Sequence, residues 1–117
     1  MARLSTHVLD TARGMPAQGV TVELYRLGPA GREHVTTMVT NPDGRTDEPC
    51  LSGDAVAVGT YELVFHAAAY LRAMDVAVTD PPFLDEIIVR FGVADPHANY
   101  HVPLLLSPYG YSTYRGS

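Results

Sequence analysis

The chain consists of short runs in which hydrophobic and polar residues alternate, separated by clusters of Gly, Pro and Asp. In residues 20–26 every second residue up to position 24 is Val or Leu, and Thr, Glu and Tyr stand between and after them. A period of two is typical of a β-strand with one buried face. Runs of this kind predict strands at 4–10, 20–26, 34–40, 60–66, 87–93, 100–107 and 111–115. The stretch 45–58 is loop-like and can contain one further short strand.

Turn signals and a single helical segment complete this pattern. Residues 41–44, Asn-Pro-Asp-Gly, form a strong turn because Pro presets φ and Gly accepts a positive φ. Residues 67–74 are the only good helix former, and at about two turns they must pack on a sheet to be stable. Seven or eight strands, one helix and no alternation of strands with helices predict an all-β, two-sheet antiparallel sandwich.

Length and charge narrow the classes of function. A chain of 117 residues is predicted to be one domain, residues 1–117. Its net charge is −5, and its eight basic residues, all Arg, are scattered, so we expect no nucleic-acid partner. No apolar run approaches the ~20 residues of a membrane helix, and the start of the chain lacks the apolar core of a secretion signal. We therefore expect a soluble, cytoplasmic protein without a membrane partner.

One strand departs from the alternation. In residues 102–106, Val-Pro-Leu-Leu-Leu, both faces are apolar, whereas a half-buried strand has polar residues on its outer face. An apolar outer face predicts a subunit interface and hence a homo-oligomer. The alternative is that the chain's own helix covers this strand. Pro103 cannot donate a ladder hydrogen bond, which predicts that it lies at a sheet edge or a bulge.

Two of the five histidines are candidates for chemistry. His7 and His101 lie inside predicted strands among apolar neighbours, where an imidazole can act as a general base. His97 and His101 are separated by roughly 13 Å in an extended chain, too far to share a zinc ion. No other ligand spacing is present, so no metal site is predicted. Serine-nucleophile and phosphate-loop motifs are also missing. A histidine base, an arginine and the polar tail suit hydrolysis by an activated water.

Several segments resemble the transthyretin-like family. Residues 4–10, Leu-Ser-Thr-His-Val-Leu-Asp, and 14–20, Gly-Met-Pro-Ala-Gln-Gly-Val, are similar to its opening. Three more, Gly-Arg-Thr at 44–46, Tyr-His-Val-Pro-Leu-Leu-Leu-Ser-Pro at 100–108 and Tyr-Arg-Gly-Ser at 114–117, resemble its enzymatic branch, the 5-hydroxyisourate hydrolases. The resemblance extends from residue 4 to residue 117, and the last tetrapeptide is its most specific part.

The resemblance implies a transthyretin-like (prealbumin-like) sandwich of two four-stranded sheets with one short helix. It also implies a homotetramer, a dimer of dimers, with sites in a channel at the subunit interface. The implied reaction opens the ring of 5-hydroxyisourate during urate degradation and gives 2-oxo-4-hydroxy-4-carboxy-5-ureidoimidazoline. No cofactor and no metal are implied.

Residue by residue, the resemblance implies a catalytic set and a substrate-binding set. The catalytic residues would be His7, Arg45, His101 and Ser117, and the substrate-binding residues His7, Arg45 and Tyr114. Either histidine could take the proton from water, and Arg45 would stabilise the oxyanion or anchor the anionic substrate. Tyr114 would position the substrate, and Ser117 would orient a partner.

The main alternative is a non-enzymatic carrier of small ligands, as in the hormone-carrying transthyretins. Those proteins share the fold but lack the combination of two histidines, an arginine and the Tyr-Arg-Gly-Ser tail, so the site residues favour the enzyme. A general β-sandwich interaction module would explain the apolar strand but not the placed His and Arg. One departure from the enzymes is Asn99, where relatives often carry a histidine.

Overall fold

In the computed structural model, residues 2–116 are described, and they contain nine strands and one α-helix. A single turn of 3₁₀ helix, Gly53–Ala55, follows the fifth strand. In chain order the elements are β1 (Arg3–Asp10), β2 (Met15–Pro16), β3 (Thr21–Gly28), β4 (Gly31–Val39), β5 (Leu51–Ser52), β6 (Gly59–His66), α1 (Ala67–Ala73), β7 (Glu86–Val93), β8 (Asn99–Ser107) and β9 (Gly110–Thr113). Every strand predicted from the alternation is present, and the helix lies where it was expected.

The strands form two sheets, as predicted. The first has the order β2-β1-β8-β9, with the short β5 also paired to β1, and the second has the order β4-β3-β6-β7. All pairs of the second sheet are antiparallel. The sandwich prediction is therefore confirmed, with two differences of detail. The pair β1 and β8 is parallel, and β5 gives the first sheet a fifth strand.

The core lies between the two sheets and is filled by the inward faces of the alternating strands. In β1 the inward residues Leu4 and Val8 are fully buried, and Leu104 and Leu106 are their counterparts in β8. Burying a Leu side chain contributes about 2 kcal/mol. Helix α1 adds buried residues to this core, including Leu71, and packs mainly against β7. No helix within residues 2–116 has the length and apolar character needed to cross a membrane.

The apolar strand β8 occupies an internal position and its pairings show no register shift, so the prediction that Pro103 lies at a sheet edge or a bulge is wrong. β8 is flanked by β1 and β9. The missing N–H of Pro103 leaves no ladder hydrogen bond with β9 unformed, because the pairing of β8 with β9 ends at Leu104 and Thr113. The Pro103 carbonyl accepts a hydrogen bond from the Thr113 hydroxyl at 2.7 Å. A proline fits where no partner strand needs the N–H.

Candidate active site

His7 and His101 come together because β1 and β8 are parallel neighbours. In β1 the even-numbered residues face the core, so Ser5 and His7 project from the outer face of the first sheet. The register pairs Ser5 with His101 and His7 with Pro103. The two imidazole rings lie 6.4 Å apart between centroids, at an angle of 41°. Two residues separated by 94 positions thus face the same side of one sheet.

The turn after β4 brings Arg45 to this pair. Gly44 has a φ of 75°, and its carbonyl accepts a hydrogen bond of 2.8 Å from the backbone N–H of Val8. A Cβ at position 44 would collide with the Val8 carbonyl oxygen, so only glycine fits the turn against β1. Arg45 then forms an antiparallel bridge with His7. Because paired residues project to the same face, Arg45 joins the outer face that carries both histidines.

The same turn fixes the tautomer of His7. Nε2 of His7 lies 2.8 Å from the carbonyl oxygen of Asp43. A carbonyl oxygen only accepts, so Nε2 carries the hydrogen and donates it. In the neutral ring, Nδ1 of His7 is therefore an acceptor.

His101 is held by a different kind of partner. Its Nδ1 lies 2.8 Å from the hydroxyl oxygen of Ser5. Burial, the positive charge of Arg45 and the neighbouring His7 lower the pKa of His101 below its ordinary value of 6.5. Nε2 makes no hydrogen bond within residues 2–116, and no buried side-chain nitrogen or oxygen there lacks a partner, so Nε2 is accessible. The lowered pKa favours the neutral imidazole of His101 at pH 7, and its Nε2 has no hydrogen-bond partner among residues 2–116.

The last described residues run alongside His101. The backbone N–H of Gly116 donates to the His101 carbonyl at 2.7 Å, in an antiparallel bridge. A Cβ on Gly116 would lie 2.7 Å from Cδ2 of the His101 ring, closer than carbon atoms approach one another. The chain therefore passes directly against the edge of the imidazole, and glycine is the residue that permits it.

Arg115 holds the tail in place through contacts with Tyr100 and Asn99. Its guanidinium carbon stands 4.3 Å from the centre of the Tyr100 ring, and Nη2 donates to the Asn99 carbonyl at 3.1 Å. Tyr114 is 59% exposed and lines a cavity of about 240 Å³ between the tail and β7. Neither a ring contact nor a hydrogen bond within residues 2–116 joins Tyr114 to the two histidines.

The structure thus brings together three of the five predicted site residues, namely His7, Arg45 and His101. Tyr114 lies apart from them within this chain, and Ser117 lies outside the described residues. Ser5, the Asp43 carbonyl and Gly116 were not predicted. The position of Ser5, two residues before His7 in a strand, was a usable signal because it places both on one face. No local pattern indicates the contacts of Asp43 and Gly116.

The converging groups suit an anionic ligand. Two imidazoles, a guanidinium and a hydroxyl meet on this face. A cavity of about 190 Å³ adjoins them, and its lining includes Ser5, Arg45, Thr46, a second arginine, Arg3, and one acidic residue, Asp47. Within the described residues, no group of three or more His, Cys, Asp or Glu is placed to hold a metal ion. A neutral imidazole beside a fixed positive charge can take a proton from water while the guanidinium stabilises negative charge.

Comparison with known proteins identifies the family of this chain. The model of the HIUase/Transthyretin family matches residues 4–116. The chain belongs to this family. A HIUase/Transthyretin relative from Rhizobium meliloti, named 5-hydroxyisourate hydrolase 2, is 58% identical over 98% of this chain and 96% of its own length. The 5-hydroxyisourate hydrolase of Pseudomonas aeruginosa is 52% identical over 100% of this chain and 93% of its own length.

Solved structures confirm the HIUase/Transthyretin fold. The crystal structure of (S)-allantoin synthase has a TM-score of 0.93 and 44% identity over 99% of this chain, which spans 44% of that protein. The 5-hydroxyisourate hydrolase of Klebsiella pneumoniae has a TM-score of 0.83 and 33% identity over the whole of both chains. Sea bream transthyretin in complex with thyroxine has a TM-score of 0.87 and 25% identity, covering 97% of this chain and 94% of its own. The resemblance to the hydrolase branch is confirmed by the relatives from Rhizobium meliloti and Pseudomonas aeruginosa.

Proposed function

We propose that this protein hydrolyses 5-hydroxyisourate to 2-oxo-4-hydroxy-4-carboxy-5-ureidoimidazoline. The observation that carries the proposal is the convergence of His7, Arg45 and His101 on one sheet face. It is supported by similarity over the full chain to proteins named as this hydrolase. The reaction adds one water across the ring C–N bond. A C–O bond forms, the C–N bond breaks, and the leaving nitrogen receives a proton.

In this proposal His101 is the general base. Its lowered pKa keeps it neutral at pH 7, and its Nε2 is free to take the proton of the attacking water. His7 already uses Nε2 to donate to the Asp43 carbonyl, so it has only Nδ1 to offer. We assign His7 to binding and orienting the substrate through that nitrogen. General-base catalysis of this kind contributes about 10²–10⁴-fold to the rate.

Arg45 supplies the electrostatic stabilisation in the proposed reaction. Its guanidinium is always charged and offers a planar fork of donors, which suits an anionic substrate and the oxyanion that forms on attack. Its charge also helps to lower the pKa of His101, so it keeps the base deprotonated. One such donor is worth about 10²–10³ in kcat. Tyr114 and Ser117 keep the roles that the family resemblance implies, positioning the substrate and orienting a partner.

We also propose that the protein works as a homotetramer, a dimer of dimers, with the first sheets facing each other. The outer face of the first sheet carries Leu9, Pro103 and Leu105 beside the two histidines, and Pro103 is buried within the single chain. The outer face of the second sheet is charged, since Glu62 there pairs with Arg90 at 2.8 Å. Apolar faces associate and charged faces stay in water, so the face with the histidines is the one that a second copy covers.

The assembly is tested by light scattering after gel filtration. We expect a tetramer for the wild type and smaller species for Leu105→Glu, because a charge would be buried in the interface. Thr60→Glu is the matched control, since Thr60 is exposed on β6 in the charged sheet and is paired with Gly92, and it should leave the tetramer intact. A Leu105→Glu variant that stays tetrameric would show that this face is not the interface.

The activity is tested by a coupled ultraviolet assay. Urate and uricase generate 5-hydroxyisourate in the cuvette, and the decay of its absorbance is followed with and without the protein. We expect catalytic amounts of wild type to accelerate the decay, Arg45→Ala to lose at least about a hundredfold, and the control Arg72→Ala, an exposed residue of α1, to match wild type. Decay at the spontaneous rate would reject the hydrolase and favour the small-ligand carrier, as in the transthyretin complex with thyroxine.

A further inference from the structure

Ser5 is the only side chain within residues 2–116 that hydrogen-bonds the imidazole of His101. The register of β1 and β8 places the two residues side by side, and the Ser5 hydroxyl oxygen lies 2.8 Å from Nδ1. Ser5 is half-buried and forms no other side-chain hydrogen bond in this part of the chain. On the opposite edge of the ring, Gly116 packs against Cδ2. The ring is therefore held on both edges, and its Nε2 makes no hydrogen bond to any residue between 2 and 116.

We propose that Ser5 is a positioning residue that holds His101 with its hydrogen on Nδ1, so that Nε2 presents a lone pair to the attacking water. The inference rests on the proposed hydrolase function. It adds Ser5 to the residues on which the activity depends, although Ser5 reaches the reaction only through His101.

The direction of this hydrogen bond follows from what His101 must do. A serine hydroxyl can donate to Nδ1 or accept from it. If it donated, Nδ1 would carry the lone pair and Nε2 the hydrogen, and the accessible nitrogen could not act as a base. If it accepts, Nε2 is free to take a proton. The same hydrogen bond then becomes charge-assisted in the imidazolium, which strengthens it.

Three variants test this role by kinetics. Ser5→Ala removes the acceptor, so we expect kcat to fall about tenfold with KM changed by less than about twofold, because the lost bond strengthens only as His101 gains charge. Ser5→Thr keeps the hydroxyl and should restore kcat to within about threefold of wild type. Ser52→Ala is the control, since Ser52 is an exposed serine of β5 without a side-chain cap hydrogen bond.

The pH profile separates positioning from a structural effect. The imidazolium of His101 faces Arg45 and His7, and Ser5 is its hydrogen-bond acceptor. Removing Ser5 destabilises the imidazolium, so the acid limb of kcat/KM should move to lower pH in Ser5→Ala and return in Ser5→Thr. A loss of activity through partial unfolding would scale the profile without moving the limb.

Nitrogen NMR of the imidazoles gives a readout that does not depend on turnover. With uniformly ¹⁵N-labelled wild type, and with His101→Asn to assign the signals, we expect His101 in the Nδ1–H tautomer near pH 7.5. Ser5→Ala should shift it toward the other tautomer.

An Nε2–H tautomer in wild type would overturn the proposal, as would Ser5→Ala with unchanged kcat. If wild type fails to accelerate the decay of 5-hydroxyisourate, the proposed function itself fails. Activity in wild type with no dependence on Ser5 overturns only the positioning role.

Discussion

Replacing Gly116 by Ala tests whether the path of the tail sets the position of the His101 ring, the general base that we propose. The new Cβ would lie 2.7 Å from Cδ2 of His101, 3.2 Å from its Cβ and 3.3 Å from its Cγ. Carbon atoms prefer separations of about 3.5–4.0 Å, so the ring or the tail must move by about 1 Å. The tail cannot withdraw freely, because the Gly116 N–H donates to the His101 carbonyl at 2.7 Å.

The expected effect falls on activity more than on stability. A displacement of about 1 Å in a catalytic group costs about 10²-fold in rate. The overpacking itself costs about 1–3 kcal/mol, a minor part of the roughly 5–15 kcal/mol that stabilises a domain. We therefore expect Gly116→Ala to lose about a hundredfold in kcat/KM in the uricase-coupled assay. A thermal unfolding experiment should show that the variant is still folded at the assay temperature.

The matched control is Gly110→Ala. A Cβ at position 110 would find its nearest neighbour, the Ser107 hydroxyl, at 3.6 Å, which is ordinary contact. This variant should retain wild-type activity. A Gly116→Ala enzyme within about threefold of wild type would refute the claim that the tail positions His101.

Further predictions follow from the site and the core. Because the pKa of His101 lies below 6.5, the acid limb of the pH profile of kcat/KM should lie below pH 6.5. Arg45→Met removes a positive charge and should move this limb to higher pH. A limb that stays in place would contradict the electrostatic effect of Arg45 on His101. Because the pKa of His101 is lower in the folded than in the unfolded protein, the unfolded chain gains this proton first as pH falls. The free energy of unfolding should therefore decrease as pH falls below 6.5. Gly44→Ala should lower the free energy of unfolding in urea by about 3 kcal/mol, because φ is 75° there and the Cβ meets the Val8 carbonyl; a loss under about 1 kcal/mol would contradict this. Burial raises the pKa of Cys50 to about 12, so iodoacetamide at pH 8 should alkylate it in urea but not in the native protein; rapid native labelling would show that the site is open.

Two faces of the same sandwich have different chemical characters, and this difference supports the proposed assembly. On the second sheet Glu62 is nearly buried between Arg32 at 3.4 Å and Arg90 at 2.8 Å, an arrangement that satisfies its charge within the chain. On the first sheet His7 and His101 share the outer face with Leu105, and all three side chains are only half-buried in the single chain. A second copy would both cover the apolar residues and close the site.

Local chemistry in the sequence was sufficient to predict most of the secondary structure. Alternation is a property of consecutive residues, so the strands and the sides of their residues could be read directly, including the common face of Ser5 and His7. The turn at 41–44 was likewise predictable from Pro42 and Gly44. The site residues His7, Arg45 and His101 were singled out by residue type and by family resemblance, before anything showed that they meet.

Tertiary structure alone decided which strands are neighbours, and with them the chemistry of the site. The parallel pairing of β1 with β8 joins segments 96 residues apart and gives His101 its partner Ser5. The prediction for Pro103 was wrong for the same reason, since nothing local shows that β8 lies inside the sheet. Strand order depends on how the whole chain buries its apolar faces. A period of two states which face is buried, but not against which strand.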